Sequence, residues 1–231
     1  NGKIYPIDKC PVLPFHANCR CTIVPCLDEK KSVANEAVRN TNTPVKYNEK
    51  YDYAISINGA NETVNKSISE CARKVAKFGT QDGKEHMFLV NVTTGKPVYY
   101  EKGMPGEVGG TEFWEFVDAH KEESFAFIHN HNTDGYFSET DMRTLLRTEQ
   151  IYVMIAVRND AVIYLAEKGK EVPKSGYFDD LFEKELKQLN EDVRSGKVSV
   201  SDRNIKREQI IVDGLLKRYT KAGRLIEKDG R

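Results

Sequence analysis

Residues 125–146, FAFIHNHNTDGYFSETDMRTLL, run from an apolar stretch into His129-Asn130-His131. A short polar loop follows, then Ser138-x-x-Asp141 at what reads as a helix start. In a strand, residues i and i+2 share a face, so His129 and His131 project together and Asn130 points away. Asp141, on the first helical turn, can swing back toward the strand end. Two imidazoles and a carboxylate with a fourth position left open are the ligand set of a catalytic zinc site. Zinc held in this way lowers the pKa of a bound water toward about 7 and polarises a carbonyl.

Plainer readings compete. A His-x-His pair at a strand end also describes two surface histidines. Ser138-Glu139-Thr140-Asp141 fits a capping box, with Ser138 as N-cap and Asp141 at N3. Ser138 can serve both roles, but a ligating Asp141 is not expected to serve fully as a cap. The joint occurrence of the two motifs favours metal. His129-Asn130-His131 also spells the signature of HNH nucleases, but those place the last histidine on a helix, and here an apolar strand leads in. Zinc deaminases need His-x-Glu followed by Pro-Cys-x-x-Cys, which is missing after His129.

The elements that position these residues follow from periodicity. YDYAISI (51–57) alternates and predicts a strand. Asn61 caps a helix to about Phe78, with Val64, Ile68, Cys71, Ala72 and Val75 on one face. Residues 86–100 form a hairpin turning at Thr94-Gly95, and 103–110 a Gly-rich loop. Thr111 caps a helix to about His120. A buried strand spans 124–131, a helix runs from Ser138 to about Glu149, and IYVMIAV and AVIYLAE are two more strands. Helices alternating with a mixed sheet predict a three-layer α/β domain over 51–170. Residues 171–231 read as a helical C-terminal extension, helical throughout 176–231 and broken near Ser195-Gly196. From Arg194 to Arg231 there are 11 Lys/Arg against 5 Asp/Glu, which reads as a solvated face with a docking stripe.

The chain of 231 residues is 39% apolar and 30% charged, a soluble globular balance. No run approaches the roughly 18 apolar residues of a membrane span. Lys+Arg and Asp+Glu are equal at 35 each, so no polyanion partner is implied and nucleic acid is not expected. The chain opens at Asn1-Gly2 inside a patterned segment, which reads as a fragment or processed piece without a signal peptide. Four of the five cysteines, Cys10, Cys19, Cys21 and Cys26, crowd into the first 26 residues, which argues for metal binding or a reduced protein over a disulfide framework. Cys71 reads as a core residue.

At Glu85-His86-Met87-Phe88-Leu89-Val90 and His129-Asn130-His131-Asn132 the chain resembles the JAB/MPN (JAMM) metalloprotease family, and its RadC-like branch most closely. The resemblance covers roughly 50–170 and implies the cytidine-deaminase-like fold of that family. It implies His129, His131 and Asp141 as zinc ligands, Ser138 as stabiliser of a developing oxyanion, and Glu85 as general base. Read alone, Glu85 is a solvated loop charge with Glu101 and Glu107 as rivals. Two departures stand out: Asn132 replaces the usual proline, and the loop from His131 to Ser138 holds six residues, one fewer than usual. The implied reaction is hydrolysis of a peptide or isopeptide bond, with substrates that include ubiquitin-like tails.

His16-Ala17-Asn18-Cys19-Arg20-Cys21 within residues 1–27 resembles the C-terminal end of the Mu F-like phage head-morphogenesis domain, followed by a polar linker over 28–50. His16, Cys19 and Cys21 could supply part of a second, structural zinc site, with a reduced thiol cluster as the alternative. The resemblances together imply a hydrolase joined to a phage head protein, as maturation protease or toxin-like effector. Implied partners are head or portal components or an immunity protein, in a virion or bacterial cytoplasm. The alternatives are a non-catalytic JAB-fold assembly module and a metal-dependent nuclease.

Overall fold

The computed structural model describes residues 43–174, 177–221 and 226–230. The segment 1–27, expected from its resemblance to be a head-domain tail, and the cluster at His16, Cys19 and Cys21 lie outside the described residues.

Asn61 caps α1 (Glu62–Asp82), its side chain accepting the Val64 N–H at 3.0 Å. Val64, Ile68, Cys71, Ala72, Val75 and Ala76 form the buried stripe, as the 3.6-residue period demands. The helix runs past Phe78 because Gly79 is not a stop. It is a point of close approach, where a Cβ would lie 2.0 Å from Asn130 Nδ2. The helix ends instead at Gly83, in the left-handed region at φ 71°.

Strands β1 (His86–Asn91) and β2 (Pro97–Lys102) form the expected hairpin. Then come α2 (Thr111–Ala119), β3 (Phe125–His131), α3 (Glu139–Arg147), β4 (Ile151–Arg158) and β5 (Val162–Glu167). Thr111 is the first helical residue of α2, and the cap position falls to Gly110, with no side-chain bond. The last elements are α4 (Phe178–Leu181), α5 (Glu183–Arg194), α6 (Arg203–Tyr219) and β6 (Ile226–Asp229). The sheet order is β2-β1-β3-β4-β5-β6, with β3 and β4 parallel and the other neighbours antiparallel. This is a mixed α/β architecture with helices flanking the sheet, the class expected.

Alternation along the strands builds two cores. Met87, Leu89, Phe125, Phe127, Met154 and Ala156 face α2, α3 and α6. Val90, Ala126, Ile128, Val153, Ile155 and Val157 face α1. Strand β4 is buried on both faces, hence its continuous apolar run. Because β3 and β4 are parallel, the chain must cross from one to the other through α3. The carboxyl end of β3 and the start of α3 are thereby brought together, the place where open α/β sheets commonly bind ligands.

Three expectations need correction. Residues 51–57 do alternate, burying Tyr53, Ile55 and Ile57, but they join no ladder. The Ile55 N–H donates to Ser69 Oγ and the Ile57 N–H to Asn65 Oδ1, both on α1. Period-two patterning reports an extended segment with one buried face, whatever supplies its hydrogen-bond partners. Residues 176–231 are not helical throughout, since β6 pairs with β5 at the sheet edge. Its sequence IEKD is too short and charged to alternate. The end of the expected linker is also docked: Val45 N–H donates to Asn132 O at 2.9 Å and Tyr47 N–H to Thr80 Oγ1 at 2.7 Å.

The break at Ser195-Gly196 lies where expected, and α6 buries Ile211, Val212, Leu215 and Leu216 in the same core as β3. Gly214 lets the Phe182 ring approach α6, since a Cβ there would lie 2.2 Å from the ring. Gly214→Ala is therefore expected to destabilise by about 1–3 kcal/mol through overpacking. Urea denaturation checks this, and an unchanged midpoint would show that the ring can move aside. Among the described residues, no helix is long and apolar enough to cross a membrane.

Candidate metal centre

Period two along β3 places Phe125, Phe127, His129 and His131 on the face toward α3. The His129 and His131 Nε2 atoms are 3.0 Å apart. Asp141, on the first turn of α3, puts Oδ1 3.2 Å from His129 Nε2 and Oδ2 3.7 Å from His131 Nε2. His129 is 1% exposed, and its ring packs edge-on against Phe127. One donor atom from each of the three residues lies within 4.8 Å of the others, making them a group able to hold a metal ion.

The donor set fits such an ion. Donors about 2.0–2.1 Å from a tetrahedral zinc stand about 3.3 Å apart, and His129 Nε2 stands 3.0 Å from His131 Nε2 and 3.2 Å from Asp141 Oδ1. Gly135 O lies 3.4 Å from His131 Nδ1 and accepts its proton, which turns the Nε2 lone pair to the site. His129 Nδ1 is buried without a hydrogen-bond partner. It is the polar atom of this group that the fold leaves unsatisfied.

Electrostatics match the geometry. Burial would lower the His129 pKa, but the Asp141 and Glu85 carboxylates outweigh it and hold the ring above its ordinary value. His131 is pushed down to about 4 by burial and by His129 beside it. Burial alone would raise the Asp141 carboxyl, yet His129 and His131 hold it well below the usual carboxylate range. Three donor groups thus converge on one point, where a cation can bridge them.

The Asp141 carboxylate has two oxygens, and the helix cap uses one of them. Asp141 Oδ2 accepts from Ser138 N–H at 2.7 Å and from Ser138 Oγ–H at 2.8 Å, and the Asp141 N–H donates to Ser138 Oγ at 3.1 Å. The capping box is complete, and Oδ1 still faces His129. A complete cap therefore leaves one carboxylate oxygen of Asp141 turned toward the histidines. The Ser138 hydroxyl proton is committed to Asp141, so a role at an oxyanion requires the hydroxyl to rotate.

Glu85 reaches this face through pairing distant in sequence. Met87 pairs with His129 across β1 and β3, so Glu85, two residues before Met87, falls on the face of the histidines. Burial pushes its carboxyl up to about 7, with His129 opposing and the Asp141 and Glu107 carboxylates adding to the rise. The rivals separate. Glu101 Oε1 accepts the Gly109 and Gly110 N–H groups and Oε2 accepts the Tyr99 hydroxyl, so Glu101 pins the Gly-rich loop. Glu107 is exposed. The hairpin-to-helix placement of HNH histidines is not seen, since both rings stand on β3.

Sequence reasoning missed the groups behind the site. Asn130, Asn132 and Asn159 bond to one another through their side chains, and the Tyr53 hydroxyl donates to Asn159 O at 2.7 Å. On α6, Glu208 accepts the Glu139 N–H and Arg207 pairs with Glu139, fixing the start of α3. Several cations of the basic C-terminal stretch are likewise paired: Arg207 with Asp179, Lys197 with Asp192, and Arg218 with Glu185. Asn130 facing away from the histidines was a legible signal, but its contacts were not. Comparison with protein-family models, curated proteins and solved structures finds no match.

Proposed function

We propose that this chain is a zinc-dependent hydrolase of peptide or isopeptide bonds, of the JAB/MPN (JAMM) type. The observation that carries the reading is the convergence of His129, His131 and Asp141, with Glu85 on the same sheet face and its carboxyl pushed up by burial to about 7. A zinc ion held by those three residues supplies a Lewis acid and a more acidic water. Glu85 takes a proton from the attacking water and returns it to the leaving amine. A carboxyl near pH 7 can do both, because neither its acid nor its base form is strongly favoured. Ser138 holds Asp141 through Oδ2 and, on rotation, offers its hydroxyl to the developing oxyanion. Phe127 walls the site on the strand side.

The test is cleavage of a fluorescence-quenched isopeptide joining a glycine carboxyl to a lysine ε-amine. Protein carrying one zinc per chain is expected to cleave it, and chelator-treated protein to recover cleavage on zinc addition. A zinc-loaded protein inert on this probe and on linear peptides would favour the assembly-module reading. The commitment of the Ser138 proton to Asp141 is the observation on that side. A phage head setting, with head or portal partners, remains part of the proposal and rests on the HANCRC resemblance alone.

A further inference from the structure

We infer that Asn130 is a positioning residue: its side chain holds Glu85 in register with the metal ligands. This rests on the reading of Glu85 as general base. The paired register of β1 and β3 begins at Met87 and His129, so Glu85 lies beyond the ladder. Strand ends outside a ladder fray. Here Asn130, between the two histidines, reaches across in place of backbone. Its Oδ1 accepts the His86 N–H at 2.7 Å and its Nδ2 donates to Lys84 O at 3.2 Å. These are the peptide groups on either side of Glu85. The backbone of Glu85 itself is held from the other side: its N–H donates to Met104 O at 3.1 Å and its C=O accepts the Gly103 N–H at 2.8 Å.

The clamp is itself braced. Asn132 Oδ1 accepts from Asn130 Nδ2 at 3.0 Å and from Asn159 Nδ2 at 2.9 Å. Asn130 is fully buried, and α1 makes room for it with Gly79. A proline at 132 would offer no such acceptor, so Asn132 completes the brace where the family pattern has proline. One strand thus carries both metal ligands on one face and, from the residue between them, the hold on the base. A base displaced by about 1 Å costs on the order of 100-fold in rate without altering the metal site.

The test uses the full chain with Asn130→Ala and, because a buried amide is removed, the milder Asn132→Ala. Each is assayed for zinc content, for kcat and KM on the quenched isopeptide, and for amide exchange in the metal-free state. For Asn130→Ala the expected result is one zinc per chain, kcat lower by about 10–100-fold and KM within about twofold. The His86 amide is expected to exchange at least about 10-fold faster, while those of Leu89 and Val90 keep their protection. Asn132→Ala is expected to show the same pattern more weakly, and it decides the matter if Asn130→Ala does not fold. Unchanged kcat, zinc lost in step with activity, or an unchanged His86 amide overturns the inference. If wild-type protein binds zinc but cleaves nothing, the proposed function falls, and the exchange measurement alone decides the clamp.

Discussion

His129→Ala is expected to bind no zinc at concentrations that saturate the wild type, with affinity lower by at least about two orders of magnitude. The site offers three protein donors, and His129 Nε2 is the one placed 3.0 and 3.2 Å from the other two. Removing it leaves His131 Nε2 and one Asp141 oxygen, a pair without a third donor. Losing a group that merely orients a ligand already costs about 10–100-fold in affinity. Asp141→Asn separates ligation from capping. The amide oxygen can still accept the Ser138 N–H, so the helix start survives. The amide NH₂ then faces His129, and the carboxylate charge is gone. Metal binding should fail while the metal-free protein keeps its stability within about 1–2 kcal/mol. Metal analysis after dialysis, paired with thermal unfolding, reads both. One equivalent of zinc retained in either variant would place the ion elsewhere, and the motif would reduce to a capping box beside two histidines.

The histidine pair and Asp141 were legible because each depends on local geometry. Period two puts both rings on one face, and Ser-x-x-Asp puts the carboxylate on the first turn of the next helix. What lies farther off in sequence was not legible. Glu85 joins the site only through the antiparallel register of β1 on β3, and nothing near Glu85 distinguishes it from Glu101 or Glu107 except the family text. The asparagine brace depends on Gly79, Val45 and Asn159, whose approach no local pattern encodes. The same limit governs the fold. The elements of 62–167 were readable from their faces and turns. Residues 51–57 showed their buried face but not their partners, and β6 takes its identity from the free edge of β5. The helix α6 read as part of a separate extension, yet Arg207 and Glu208 both bind Glu139, next to Ser138. The C-terminal segment thus belongs to the scaffold of the site.

Glu85→Gln should lower kcat by about 100- to 10,000-fold, the usual contribution of a positioned general base, and leave one zinc per chain. It should also stabilise the metal-free protein, with a dependence on pH that marks Glu85. The folded protein holds this carboxyl at about 7 against an ordinary 4.5 because burial disfavours its charge. Between those values the folded state binds more protons than the unfolded one, so wild-type stability falls as pH rises. Below pH 4.5 both states are protonated and the two proteins should be equally stable in this respect. Above pH 7 wild type carries the whole penalty, about 2–3 kcal/mol once partial exposure of the side chain is discounted. Glutamine has no charge to bury, so its advantage should grow from nothing below pH 4.5 to a plateau above pH 7. A bound zinc ion supplies a neighbouring positive charge that favours the carboxylate, so loading the metal should erase most of the difference. Urea titrations of both proteins across pH 4–9, with and without zinc, measure this. A stability gap independent of pH would mean that Glu85 is solvated in the folded state. It would then lose the property that distinguishes it from Glu101 and Glu107.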